Sequence, residues 1–220
     1  VDEGATQSVA TRLSYEQTLE LYLGMVEFLR LWAEGHRRPM QELLREQPLN
    51  RRSVNLVAAA AELLDHWVPA DEEAGLRGLR DDELEHINLT LEFLVESVQG
   101  PCPGNQYCLA VETSAIDVCR RVLGKKLAKR GGNTRLGVAR VRGSCAKLLS
   151  ALVEGGDEPL VNARIVDKLG WECISTLLIN LHDRLEQLLT LRRPKLGRER
   201  RVLLVGEVEH TALLRRERVR

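Results

Sequence analysis

The sequence predicts an all-α protein, on three observations. Aromatic residues make up only 4% of the 220 residues, hydrophobic residues reach 44%, and Leu, Ala, Val, Glu and Arg dominate. This is a helix-forming composition with few β-branched or aromatic runs. Apolar residues recur at helical spacing, as in Leu84, Ile87, Leu91, Leu94 and Val98. Glycine and proline fall between such runs, at Gly35, Pro48, Gly100-Pro101, Gly131-Gly132, Gly155-Gly156 and Pro194. The expected architecture is a multi-helix bundle or a solenoid-like array of antiparallel helix pairs, with no convincing repeat of fixed length.

Residues 1–13 are polar and patternless and read as a flexible start. Ser14, with Gln17 three residues on, predicts the N-cap of the first helix. That helix carries two apolar stripes, Leu19-Leu23-Val26-Leu29 and Leu21-Met25-Phe28-Trp32, so it is expected to be packed on both sides. Gly35 ends it. Pro39 suits the first turn of a short helix through Gln47, and Pro48 stops that helix. Ser53 is expected to cap a helix carrying Leu56, Val57, Ala60, Leu63, Leu64 and Trp67. Pro69 to Gly78, acidic and glycine-containing, reads as a mobile loop.

Asp81 or Asp82 starts the next helix, which Gly100-Pro101 ends; Pro101 to Asn105 reads as a tight connector. Thr113 or Ser114 opens a helix through Arg130, and another runs from about Thr134 to Glu154. A shorter helix covers Leu160 to Leu169. Gly170 separates it from a long one carrying Trp171, Ile174, Leu178, Leu181, Leu185 and Leu188. Trp32 and Trp171 lie on apolar stripes and are expected to be packed. The main helical domain is thus 14–191. It is followed by an Arg-rich segment, 192–220, readable as a terminal helix whose packing partner is expected outside this chain.

The formal net charge is +0, so no global field draws the chain to nucleic acid or anionic lipid. Scarce aromatics argue further against a nucleic-acid binder. No apolar run reaches the length of a membrane span. The chain opens at Val1 with no signal-peptide pattern, which reads as a piece of something longer. Cys102, Cys108, Cys119, Cys145 and Cys173 lack zinc-knuckle spacing and read as reduced thiols of a cytosolic compartment. No GxGxxG, P-loop, HExxH or GxSxG motif is present, and no enzyme is expected.

Two helix ends are electrostatically odd. Glu34 precedes Gly35-His36, and Glu96 lies one turn before Gly100. A carboxylate is disfavoured beside the last-turn carbonyls and the negative end of the helix dipole. A carboxylate beside free carbonyls is, however, what a hard divalent cation requires. By spacing alone both remain readable as ordinary surface carboxylates, with Arg30, Arg37 or Arg38 offsetting the cost. His36 and Gln99 are readable as caps for the last carbonyls. Lys125, Lys126, Lys129 and Arg130 read mainly as answers to a helix C-terminal dipole.

Several stretches together resemble one family. They are Phe28-Leu29-Arg30-Leu31 with Glu34-Gly35-His36, Leu44-Arg45-Glu46-Gln47-Pro48, Ser53-Val54-Asn55-Leu56-Val57, and Lys147-Leu148-Leu149-Ser150-Ala151-Leu152-Val153-Glu154. The most specific is Gln99-Gly100-Pro101-Cys102-Pro103-Gly104-Asn105-Gln106, followed by Leu109. In this order they resemble the RIH-associated domain of the intracellular calcium-release channels, the inositol trisphosphate and ryanodine receptors. The resemblance covers roughly Leu19 to Leu189. The Arg-rich tail departs from it.

The resemblance implies a regulatory calcium site with carboxylates at Glu34 and Glu96, support from His36 and Gln99, and a backbone carbonyl from a domain after the pore. It further implies a homotetrameric parent at the endoplasmic reticulum or a related calcium-store membrane, with this domain on the cytosolic face. A second reading, a free-standing helical interaction scaffold without a pore, stands beside it; the flanking parent sequence separates the two.

Overall fold

The computed structural model describes residues 14–70, 75–124, 134–156 and 158–192. Expectations for residues 1–13, for Lys125 to Arg130 and Gly131-Gly132, and for the Arg-rich segment beyond Arg192 fall outside these residues. The chain divides into two units, Val1–Leu177 and Leu178–Arg220. Of the second, the helical residues 178–192 are described.

Among the described residues there are eight α-helices and no strand. They are α1 (Tyr15–Ala33), α2 (Arg38–Arg45), α3 (Leu56–Trp67), α4 (Asp81–Val98), α5 (Pro103–Tyr107), α6 (Ala115–Leu123), α7 (Thr134–Leu152) and α8 (Pro159–Arg192). The all-α expectation holds, and the first unit is a bundle. In a solenoid each element meets only its neighbours. Here α4 packs against α1, α2, α3, α5 and α7.

The local signals explain most of the helix ends. Ser14 and Gln17 form the expected capping box: Gln17 N–H donates to Ser14 Oγ at 3.2 Å and Ser14 N–H to Gln17 Oε1 at 3.0 Å. Pro39 lies in the first turn of α2. The cap of α3 differs from expectation. Asn55, not Ser53, accepts the Ala58 N–H at 2.9 Å. Ser53 Oγ instead accepts the Gln47 N–H at 2.9 Å and closes the loop after Pro48. The connector after Pro101 folds further than expected, into α5 and a π-helical turn, Cys108–Glu112. Within the loop expected to be mobile, Gly75–Gly78 form a 3₁₀ turn and Leu76 is buried. In α8, Gly170 takes φ 61 and ψ 160 and breaks the helix where expected.

The central helix is α4. Leu84, Ile87, Leu91, Leu94 and Val98 are buried as the periodicity predicts, and Thr90, Phe93, Val95 and Ser97 are buried on its other faces. Helix α1 is not the internal helix its two stripes suggested. Val26 is buried and Leu29 packs on the core, but Leu21, Met25, Phe28 and Trp32 are exposed. The reason is position: α1 offers one face to α4 and lies at the edge of the unit. Phe28 and Trp32 stack on each other, ring centroids 6.2 Å apart. Trp171 is likewise 77% exposed, against expectation.

The helix directions decide which ends of the helices meet. Tyr22 Oη lies 3.1 Å from Thr90 Oγ1, and His36, beyond the end of α1, abuts Gly100, beyond the end of α4. Helices α1 and α4 therefore run parallel. Leu84 packs on Gly137, Ser144 Oγ donates to Asn88 Oδ1 at 2.8 Å, and Glu154 meets Gly100, so α4 and α7 are parallel too. Helices α6 and α7 are antiparallel, with Cys119 at Cys145 and Val122 at Arg142.

Candidate functional site

Parallel α1, α4 and α7 bring three helix C-termini to one end of the bundle. Each presents its last-turn carbonyls and the negative end of a dipole, so this end favours positive charge. All four residues singled out from the sequence lie here. Glu34 is the C-cap of α1, and its N–H donates to Arg30 O at 3.0 Å. Gly35 and His36 follow with φ 83 and φ 57, so the chain leaves α1 through two left-handed residues. His36 is the one non-glycine residue with positive φ among the described residues. Glu96 is in the last turn of α4 and half-buried, and Gln99 is the C-cap. Gly100 has φ 96, and a Cβ there would lie 2.8 Å from His36 Cγ and Nδ1. Only glycine accepts both that conformation and that neighbour.

The expectation of free carbonyls beside Glu96 is not met. Buried Gln41 donates from Nε2 to Glu96 O at 2.6 Å and to Gln99 O at 2.8 Å. Asn105 Nδ2 donates to Ser97 O at 2.9 Å and to Gln41 O at 2.8 Å. Gln106 Nε2 does the same for α7, donating to Ala151 O at 2.8 Å and Glu154 O at 2.9 Å. Neutral amides thus satisfy these carbonyls, since a buried acceptor left unpaired costs about 1–3 kcal/mol. Glu154 then turns back, and its Oε2 accepts the Gly100 N–H at 3.0 Å. These amides were not singled out from the sequence. Their partners lie 8 to 64 residues away, and no local spacing signals them.

Between the three helix ends lies a cleft of about 870 Å³, lined in part by Arg30, Glu92, Glu96, Gln99, Lys147 and Glu154. Glu34 and His36 are not among its lining residues. The Arg30 guanidinium is held by Glu27 through two 2.8 Å hydrogen bonds. Neither the Glu34 nor the Glu96 carboxylate has an ion pair among the described residues. Also among them, no three His, Cys, Asp or Glu side chains are grouped to hold a metal ion. The donor chemistry present, carboxylate oxygens at a dipole-negative end, fits part of the shell of a hard divalent cation and does not complete it.

All five cysteines are free thiols, four of them buried. Burial raises the pKa of Cys102, Cys108 and Cys173, and for Cys145 the hydrogen bond with Cys119 adds to burial in the same direction. They are inert packing groups. No helix among the described residues is long and apolar enough to cross a membrane.

Residues 16–123 match the family described as "RyR and IP3R Homology associated". This segment is an RIH-associated domain. The match spans α1 to α6 and contains Glu34, His36, Glu96 and Gln99, as well as Gln41, Asn105 and Gln106. The RIH-associated domain is associated with the ryanodine and inositol trisphosphate receptor channels, so the segment is channel-related. The long-range bonds give its most specific string, Gln99 to Gln106, a physical meaning. Gly100 admits His36, Asn105 caps α4 and Gln106 caps α7.

Proposed function

We propose that the chain is a cytosolic regulatory and coupling domain of an intracellular ligand-gated calcium-release channel, carrying part of its calcium-activation site. The observation that carries this reading is the convergence of α1 and α4 at their C-terminal ends. It brings the turns bearing Glu34 and Glu96 together through His36 on Gly100, though 62 residues separate the glutamates.

Glu34 and Glu96 add negative charge to an end that is already dipole-negative, and bare carboxylates there repel each other. A bound calcium ion supplies two positive charges and a demand for six to eight oxygen ligands. Glu34 and Glu96 supply carboxylate oxygens, and His36 and Gln99 flank them and hold the two turns in register. The remaining protein ligand in this reading is a backbone carbonyl from the domain after the pore. Glu34 and Glu96 therefore favour the arrangement that brings that carbonyl close. Differential affinity of this kind biases a closed–open equilibrium by about 1–3 kcal/mol. Parent assembly as a homotetramer at the endoplasmic reticulum membrane follows from the same reading.

The test is Glu96→Gln and, separately, Glu34→Gln in the parent channel. Each should move calcium activation to higher concentration while helical circular dichroism of the 220-residue chain stays unchanged. Unshifted activation in both variants would remove the calcium role.

A further inference from the structure

Arg30 is a fixed cation placed among these carboxylates. It lines the cleft that contains Glu92 and Glu96, and it lies one helical turn before Glu34, whose N–H bonds its carbonyl. Its side chain is 23% exposed, so solvent screens it incompletely. Glu27, one turn back on the same helix, grips the guanidinium with two 2.8 Å hydrogen bonds and fixes where the charge sits.

The geometry points to Arg30 as the residue that sets calcium affinity at Glu34 and Glu96, a tethered counter-ion against which any divalent cation must bind, with Glu27 as the clamp that holds it off the ligands. This rests on the calcium reading above. A fixed positive charge beside a divalent ion weakens its binding by Coulomb repulsion. It also partly neutralises the carboxylates in the ion's absence. Both effects lower affinity and keep the unliganded helix ends from splaying. Arg30 thus shifts the calcium response to higher concentration without contributing a ligand.

The test uses the full 220-residue chain, titrated with calcium by calorimetry and with terbium(III) by tryptophan-sensitised luminescence. Arg30→Met should tighten binding of both ions by roughly five-fold, the scale of one partly screened charge on a divalent ion. Arg30→Lys, which keeps the charge, should stay near wild type. Glu27→Gln, which releases the guanidinium toward Glu34, should weaken binding. Arg38→Met serves as the net-charge control, because Arg38 is paired with Glu42 and does not line the cleft; it should change little. Metal binding that Arg30→Met leaves unchanged, or that Arg38→Met shifts equally, overturns the role of Arg30 and leaves the calcium reading standing. No metal binding by wild type or Arg30→Met at millimolar concentrations overturns both. Circular dichroism of each variant checks that the fold is retained.

Discussion

His36 lies against the α-carbon of Gly100, and this contact fastens the end of α1 to the end of α4. Both residues have positive φ, 57 and 96 respectively, so each helix exits through a left-handed residue at the same place. The contact is what lets two glutamates far apart in sequence occupy one end of the bundle.

Gly100→Ala should therefore be costly. The new methyl would meet the imidazole at 2.8 Å, and alanine would be strained at φ 96. A loss of about 2–4 kcal/mol is expected in urea denaturation. Adding His36→Gly should recover part of it, because it removes the ring and suits φ 57. A cost below about 1 kcal/mol, or no recovery in the double variant, would mean the two helix ends are not locked this way.

Gln41 makes a different prediction, because its amide serves two α4 carbonyls from a buried position. Gln41→Leu should cost about 2–4 kcal/mol by orphaning both acceptors. Gln41→Glu should cost more at neutral pH, since an ionised carboxylate would face two carbonyls and a helix C-terminus. Protonation restores a donor, so lowering the pH should narrow the gap between Gln41→Glu and wild type. A gap independent of pH would contradict the capping role.

The cysteines predict the alkaline limb of stability. Burial raises the pKa of Cys102, Cys108 and Cys173, and hydrogen bonding with burial raises that of Cys145. A thiol whose folded pKa lies above its unfolded value favours folding below the unfolded value, near 8.5. That contribution is lost as pH rises above it, because the unfolded chain gives up protons that the fold retains. Unfolding free energy should fall between roughly pH 8.5 and 10. Replacing Cys145 by Ala should flatten this slope, and an unchanged slope would contradict the assignment.

Much of the fold was legible in the sequence. Ser14 with Gln17 announced a cap, the α4 stripe announced a buried face, and Gly170 announced a break. These signals are local, and local geometry decides them. The second stripe of α1 was misleading because periodicity reports that a face is apolar, not whether this chain supplies something to cover it. Ser53 lost the α3 cap to Asn55 because Gln47 engages it from across the loop. Among the site residues, Glu34 and Glu96 stood out by charge at the wrong helix end. Gln41, Asn105 and Gln106 did not, because a buried amide looks in sequence like any polar residue until its distant carbonyl is known.

The most direct measurement for the central claim is a calcium titration of the 220-residue chain, following the side-chain carboxyl ¹³C resonances of Glu34 and Glu96 by NMR. The account predicts that both resonances move together along one saturation curve, in the millimolar range that an incomplete shell implies. Movement of only one carboxyl, or of the two with separate midpoints, would contradict a shared ion.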